Sequence, residues 1–215
     1  PHLCKSPYGA CAFAPAGGSA AAAVAAEPLG AGALAMSGAA VAATAPLRRP
    51  VPRTGELLPV IGLGTWQTFN VGRASSDRAP LREVLREFVQ LGGKVVDSSP
   101  MYGQSERVVG DLAAELGVQK QLFLATKVWT SGREAGIRQM EESFRLLRTQ
   151  RMDLMQVHNL VDWRTHLVTL KRWKEQGKVR YIGVTHYTEG AYDELAPVLK
   201  AEELDFVQLN YSIAE

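Results

Sequence analysis

A carboxylate and a phenol stand five residues apart in the stretch VVDSSPMYG, residues 95–103. A β-branched run ends on Asp97, a Ser-Ser-Pro turn follows, and Tyr102 comes just after it. Lys127 and His158 each end a later apolar run. Each residue also has a purely structural interpretation. The Asp can hydrogen-bond the backbone of its own turn, and the Lys can be the ordinary polar end of a strand. The His can be a hydrogen-bonded residue at the edge of the sheet. Three successive strands offering ionisable residues at one level favour a catalytic site.

The four side chains together suit proton donation rather than nucleophilic attack. A tyrosine is a poor acid at neutral pH because its unperturbed pKa is about 10. A nearby ammonium stabilises the phenolate and lowers that pKa, so Lys127 would activate Tyr102. Asp97 would hold Lys127 charged, and His158 would hydrogen-bond the substrate oxygen. Such a donor serves a carbonyl group when a nicotinamide cofactor delivers hydride to its carbon.

The elements that carry these residues alternate between strand and helix. Predicted strands end at residues 97, 127, 158, 184 and 209, which recur every 25 to 31 residues. This spacing predicts βαβ crossovers and a parallel sheet, either an open doubly wound sheet or a (β/α) barrel. The doubly wound dinucleotide fold should carry G-x-G-x-x-G after its first strand, whereas residues 62–66 read GLGTW. The sequence therefore favours a (β/α)8 TIM barrel of which about six of eight units are present.

Local signals add three expectations about the helices. Ser105 is predicted to cap one helix, and Ser131 with Glu134 is predicted to form a capping box at the start of the next. His166 lies beside Leu167 in a predicted helix. We expect it to lie at the surface or the helix edge, without a catalytic role.

Residues 1–52 differ in composition from the rest of the chain. Their first 46 positions hold only two charged residues, Lys5 and Glu27, and are dominated by Ala and Gly. This resembles the apolar part and cleavage region of an export signal, although a disordered leader without an address is an equal alternative. The protein would be exported in the first case and cytoplasmic in the second.

Overall composition excludes several classes of function. An apolar content of 46%, a charged content of 21% and a net charge of +2 are ordinary for a soluble protein. Nothing in them predicts a nucleic-acid or membrane partner, and we expect a monomer. The two cysteines, Cys4 and Cys11, show no metal-ligand spacing. No metal site is predicted.

Five motifs in order, GLGTW, VVDSSPMYG, ATKVW, MQVHN and VQLNYS, resemble the aldo-keto reductase family over residues 53–215. The resemblance implies a (β/α)8 barrel that reduces aldehydes or ketones to alcohols with NADPH and without a metal. The family's catalytic tetrad corresponds to Asp97, Tyr102 as general acid, Lys127 and His158.

The resemblance also implies cofactor and substrate contacts. The expected cofactor-binding residues are Gly64, Thr65, Trp66, Asp97, Thr185, His186 and Gln208. The expected substrate-binding residues are Trp66, Tyr102 and His158. Apart from the resemblance, Trp129 lies two residues after Lys127 and is expected either to line the substrate pocket or, equally, to pack against the barrel rim. Many family members have Ser-Asn where this chain has Thr185-His186, so one contact to the nicotinamide carboxamide differs. The basic loop that selects NADPH belongs to a part of the fold beyond Glu215, which leaves NADH possible.

Three interpretations follow from these observations. The first is an NAD(P)H-dependent carbonyl reductase acting on a small molecule. The second is a reductase-fold barrel that serves as a binding or regulatory subunit, against which an intact tetrad argues. The third is an inactive chain, because six units of an eight-unit barrel should leave two sheet edges and apolar surface exposed.

Overall fold

A curled parallel sheet with helices on its outer face makes up most of the structure. The computed structural model describes residues 10–12, 14–15 and 45–209. The strands are β1 (Ala10–Ala12), β2 (Ala14–Pro15), β3 (Arg48–Pro50), β4 (Leu57–Pro59), β5 (Ile61–Gly64), β6 (Val95–Asp97), β7 (Phe123–Val128), β8 (Met152–His158), β9 (Val179–Thr185) and β10 (Phe206–Gln208). The helices are α1 (Ser75–Gln90), α2 (Ser105–Leu116), α3 (Arg133–Leu146), α4 (Trp163–Glu175) and α5 (Tyr192–Ala201), with short 3₁₀ turns at Gln119–Gln121 and Glu189–Ala191.

Strands β5 to β10 pair in chain order and in parallel, with one helix in each crossover. This is the arrangement of an incomplete TIM barrel with six βα strands, as the sequence predicts. The observed strand ends lie within one residue of the predicted ones. Parallel register places the carboxyl ends of neighbouring strands together, so the residues at those ends share one mouth.

The strands are buried on both faces, as parallel strands are when helices cover one side. Alternate residues face the interior of the curl and the helices, because side chains alternate along a strand. The interior cluster contains Val95, Phe123, Leu154, Tyr181 and Phe206. Their neighbours face the helices, where Val96, Leu124, Met155 and Ile182 join the larger core.

A hairpin closes the interior at the amino ends of the strands. Strands β3 and β4 pair with each other, and Val51 and Leu58 join the interior cluster. Tyr181 Oη donates to Glu56 Oε2 at 2.5 Å, and Arg180 forms an ion pair with the same carboxylate. This ordered hairpin begins at Arg48, before the predicted boundary at residue 53.

Both edges of the six-stranded sheet are paired. Strand β1 pairs antiparallel with β5, and β2 pairs antiparallel with β10. The six-strand count predicts open edges, but these two strands satisfy edge N–H and C=O groups that would otherwise face solvent. Of the predicted leader, residues 1–52, only 10–12, 14–15 and 45–52 are described; its other positions lie outside the described residues.

Two capping predictions are wrong. Helix α2 begins at Ser105 itself, after Gln104, and helix α3 begins after Gly132, whose φ is +86°. Neither start has a side-chain cap, so the Ser131–Glu134 capping box does not form.

Within the described part of the chain, no helix is long and apolar enough to cross a membrane.

Candidate active site

A buried ion pair lies at the mouth, between the ends of β6 and β7. Lys127 Nζ is 2.8 Å from Asp97 Oδ1 and 2.7 Å from Oδ2, and it donates to the Ser98 carbonyl at 2.7 Å. The two side chains are 1% and 3% exposed. A buried ammonium needs this many acceptors, since an unpaired charge in such a place costs several kcal/mol.

The charge of Lys127 is retained despite its burial. Desolvation lowers the pKa of the ammonium, but the negative charge of Asp97 and interactions with Tyr102 outweigh it, so the pKa lies above its ordinary value. Lys127 is therefore a fixed positive charge at the floor of the mouth.

The Tyr102 ring lies above this charge. Lys127 Nζ is 5.1 Å from the centre of the ring, and the two side chains also interact by charge and by a hydrogen bond. The Trp66 ring lies 5.0 Å from the Tyr102 ring and the His158 ring lies 6.0 Å from it, edge-on. Tyr102 is half-buried. The mouth thus brings together all four residues predicted as a catalytic tetrad.

His158 is neutral in this site. Burial, the charge of Lys127 and the charge of His186 lower the pKa of His158 to about 3. The imidazole is 6% exposed, and its Nδ1 lies 3.0 Å from Ser99 Oγ. A neutral imidazole has one donor and one acceptor nitrogen, so His158 can hydrogen-bond a substrate oxygen without giving up a proton.

The loop after β5 is tied to the segment that carries Asp97 and Tyr102. Gly64 pairs with Asp97 in register, and Thr65 Oγ1 donates to the Asp97 carbonyl at 3.0 Å. Ser105 Oγ lies 3.1 Å from the Thr65 carbonyl and 2.8 Å from that of Tyr102. Ser105 therefore joins two loops rather than capping a helix. These contacts fix the backbone on which Trp66 and Tyr102 sit.

Thr185, His186 and Gln208 form the opposite side of the mouth. Thr185 pairs in register with both His158 and Gln208, and the His186 N–H donates to the Gln208 carbonyl at 3.0 Å. Gln208 Nε2 lies 3.3 Å from Asp97 Oδ2, so it reaches across the mouth. The predicted cofactor-binding residues therefore line both sides of the ion pair.

Sequence reasoning missed Gln156. Its side chain is fully buried, and its Nε2 donates to Gln208 Oε1 at 3.3 Å. Gln156 comes two residues before His158 on β8, and residues two apart on a strand share a face. That spacing was the available signal, because it places the amide directly beneath the imidazole inside the curl.

Trp129 lies at the rim, where its side chain is 42% exposed. Its backbone is held by Gln139, whose Oε1 accepts from the Trp129 N–H at 2.6 Å and whose Nε2 donates to the Trp129 carbonyl at 3.1 Å.

His166 Nε2 hydrogen-bonds the Thr130 carbonyl at 2.7 Å and is fully buried. The prediction of a surface His166 is wrong, because it shares the buried face of α4 with Leu170 and Trp173.

Among residues 45–209, three polar atoms near the mouth are buried without a partner. They are Trp66 Nε1, Gln156 Oε1 and Asn159 Oδ1, of which Asn159 follows His158 directly. Buried polar atoms of this kind require a partner in the working protein. A donor and two acceptors around the ion pair fit an amide-bearing ring such as nicotinamide.

Comparison with known proteins finds related reductases. The chain is 31% identical over 170 residues to the aldo-keto reductase YhdN of Bacillus subtilis, covering 72% of this chain and 50% of that protein. It is 32% identical over 144 residues to the methylglyoxal reductase YeaE of Escherichia coli, covering 64% of this chain and 49% of YeaE. The chain thus spans about half the length of these relatives.

Solved structures show the same fold. An aldo-keto reductase from Klebsiella pneumoniae in complex with NADPH superposes with a TM-score of 0.56 at 27% identity, over 66% of this chain and 51% of that one. The profile of the aldo/keto reductase family matches residues 60–215, well over half of the sequence. The chain therefore belongs to the aldo/keto reductase family.

Proposed function

We propose that this protein reduces the carbonyl group of a small aldehyde or ketone to an alcohol with NADPH, and that Tyr102 is the general acid. The observation that carries the proposal is the fully buried Lys127–Asp97 ion pair beneath the Tyr102 ring. The Klebsiella relative binds NADPH and the E. coli relative is a methylglyoxal reductase, which supports the cofactor and the substrate class. NADH remains the alternative cofactor.

When bound, the reduced nicotinamide supplies a hydride to the carbonyl carbon. Trp66, Gln208, Thr185 and His186 are the residues that would hold the nicotinamide end, with the unpartnered atoms of the mouth as its hydrogen-bond partners. The glycine backbone at Gly64 and the buried Thr65 form the adjoining wall.

The protein's own groups handle the proton. As the carbonyl oxygen gains negative charge, the Tyr102 hydroxyl transfers its proton to that oxygen, and the C=O π pair becomes an O–H bond. Lys127 stabilises the phenolate left behind, since opposite charges favour the ionised form. Neutral His158 donates a hydrogen bond to the same oxygen and orients the carbonyl. Half-buried Tyr102 then takes a proton back from solvent.

The test is Tyr102→Phe, which removes only the phenol oxygen. We expect kcat for NADPH oxidation with methylglyoxal to fall by at least about 100-fold, while NADPH binding, followed by nicotinamide fluorescence, is retained. Tyr181→Phe is the matched control, because it removes a phenol at the opposite end of the barrel. It should lower stability and leave kcat of the folded protein unchanged.

The outcomes separate the possible functions. Equal turnover by Tyr102→Phe would contradict the general-acid role. Tight NADPH binding by the wild-type protein with no turnover of reactive aldehydes would favour the binding or regulatory subunit. Absence of binding of both NADPH and NADH would contradict the reductase proposal for this chain.

A further inference from the structure

Ser99 is a buried residue at the mouth that the proposed reaction does not use directly. It lies between Asp97 and Tyr102, and its side chain is fully shielded from solvent. Its Oγ lies 3.0 Å from His158 Nδ1 and accepts a hydrogen bond from the Met101 N–H at 3.3 Å. The turn that precedes Tyr102 therefore also contacts His158, the other residue expected to donate a hydrogen bond to the substrate.

The direction of the Ser99–His158 hydrogen bond follows from counting donors and acceptors. A serine hydroxyl has one hydrogen and two lone pairs, and a neutral imidazole has one N–H and one bare nitrogen. If His158 Nδ1 carried the hydrogen, Ser99 Oγ would accept twice, and its own hydrogen would be left buried. Among residues 45–209, Ser99 Oγ has two hydrogen-bonding neighbours, His158 Nδ1 and the Met101 N–H. Donation from Ser99 to Nδ1 satisfies every group.

This direction determines which nitrogen faces the substrate. With Nδ1 accepting, the hydrogen of the neutral ring must sit on Nε2. The two nitrogens lie on different sides of the ring, so Nε2 is the one turned away from Ser99. A carbonyl oxygen at the mouth needs a donor, and a bare Nε2 would repel it.

We propose that Ser99 is a positioning residue that holds His158 as the Nε2–H tautomer with its ring fixed, so that His158 presents a hydrogen-bond donor to the substrate oxygen. This inference deepens the proposed function and rests on it for the role of His158 toward the substrate. Its physical core, a hydrogen bond from Ser99 Oγ to Nδ1, is measurable without turnover.

The neighbouring serine shows that the role belongs to one position. Ser98 is also buried, but its Oγ lies 2.9 Å from Thr65 Oγ1 and its carbonyl accepts from Lys127. The two hydroxyls thus have different neighbours, and Ser99 is the serine of this pair that contacts the imidazole. Ser98 and Ser99 therefore form a matched pair for mutagenesis.

The experiment is ¹⁵N NMR of the whole chain labelled at histidine, with His158 assigned by its absence from the His158→Asn spectrum. We expect Nε2 in the protonated range and Nδ1 in the unprotonated range, displaced upfield because it accepts a hydrogen bond. In Ser99→Ala, Nδ1 should move downfield, whereas Ser98→Ala should leave both His158 shifts unchanged. A protonated Nδ1 in the wild type, or an unchanged Nδ1 shift in Ser99→Ala, would overturn the proposal.

Kinetics provide the second readout. Ser99→Ala should lower kcat with methylglyoxal by about 10- to 100-fold, because a misoriented donor forfeits much of its effect, and should leave NADPH affinity unchanged. If Ser99→Ala does not fold, Ser99→Cys serves in its place, since a thiol is close in size and a weak donor. It should give a smaller downfield shift of Nδ1; no shift would again overturn the proposal. The NMR result stands even if the protein proves to have no reductase activity.

Discussion

His158 illustrates how one residue at the mouth depends on its surroundings. Burial and the nearby charges of Lys127 and His186 oppose its protonation and hold its pKa at about 3. In the unfolded chain its pKa returns to about 6.5. The unfolded chain therefore binds more protons than the folded protein between these two values, which links protein stability to pH.

The first prediction follows from this difference. His158 contributes stability that is fully present above pH 6.5 and is lost as the pH falls toward about 3. We expect the free energy of unfolding of the wild type, minus that of His158→Gln, to fall by up to about 1.4 kcal/mol per pH unit in this window. Urea unfolding of both proteins at a series of pH values measures it.

The subtraction is needed because carboxylates titrate in the same window. The pKa of Asp111 is lowered through its contacts with Arg78 and Arg148, against the opposing effect of burial, while burial raises the pKa of Glu106. Both groups are present in the wild type and in His158→Gln, so their contributions cancel. A difference that stays constant from pH 7 to pH 4 would contradict the assigned pKa of His158.

Single site residues could be predicted from the sequence where an apolar run ends on an ionisable side chain. Asp97, Lys127 and His158 each end an apolar run, so their types and level on the sheet could be read from the sequence. Ser99 could not be predicted, and for Gln156 the spacing from His158 gives only its face of the strand, because the contacts of both depend on which side chain lies opposite across the curl. That relation is set by tertiary packing rather than by any local pattern.

The loop between β7 and α3 shows how neighbouring elements fix a segment of the rim. Gln139 hydrogen-bonds both the N–H and the carbonyl of Trp129. His166 holds the Thr130 carbonyl, and Asp162 Oδ2 accepts from the Gly132 N–H at 2.7 Å. Side chains from α3, α4 and the turn before α4 thus hold the loop. The indole of Trp129 is presented at the rim by a backbone with little freedom.

The second prediction concerns Gln139→Ala. Loss of both hydrogen bonds should free the loop, so amide exchange at residues 129–132 should quicken by at least about tenfold, as expected when roughly 1 kcal/mol is lost per bond. KM for bulky aldehydes should rise while NADPH affinity is unchanged. Hydrogen exchange measured by mass spectrometry and steady-state kinetics test the two effects.

Gln150→Ala is the control for this prediction, because Gln150 is exposed and lies outside the rim loop. It should leave exchange at residues 129–132 unchanged. If Gln139→Ala behaves in the same way, then the contacts from His166 and Asp162 alone suffice, and Gln139 is not what fixes Trp129.

At the level of elements, periodicity predicted the helices well, but the side-chain caps predicted at the starts of α2 and α3 do not form. Residues at i, i+3 and i+4 identified the buried face of α2, where Val108, Val109 and Leu112 are buried. The start of α3 was missed because Gly132, with its positive φ and its bond to Asp162, replaces the expected serine cap. The burial of His166 was foreseeable, since it precedes Leu170 by four residues on one helical face.

In the molecule as a whole, the candidate active site and the hairpin that closes the barrel interior lie at opposite ends of the strands. The ion pair, Tyr102 and His158 lie at the carboxyl ends of the strands, while the hairpin β3–β4 closes the amino ends. Barrels of this class commonly divide their faces in this way. The parallel order of the sheet could be predicted from strand spacing alone. The pairing of β1 and β2 with the two edges could not, because residues 1–46 carry no strand periodicity.

The last prediction tests this separation with two adjacent leucines. Leu58 faces the interior cluster and is 9% exposed, whereas Leu57, its neighbour on β4, is 55% exposed. Leu58→Ala should lower the free energy of unfolding by about 2 to 3 kcal/mol, since it leaves a cavity, and Leu57→Ala should change it by less than about 0.5 kcal/mol. Thermal and urea unfolding measure both changes.

Neither variant should alter kcat or KM at a temperature where it is folded, because the hairpin lies at the opposite end from the tetrad. A fall in kcat for folded Leu58→Ala would show that the amino-terminal hairpin supports the geometry of the mouth as well as the stability of the barrel.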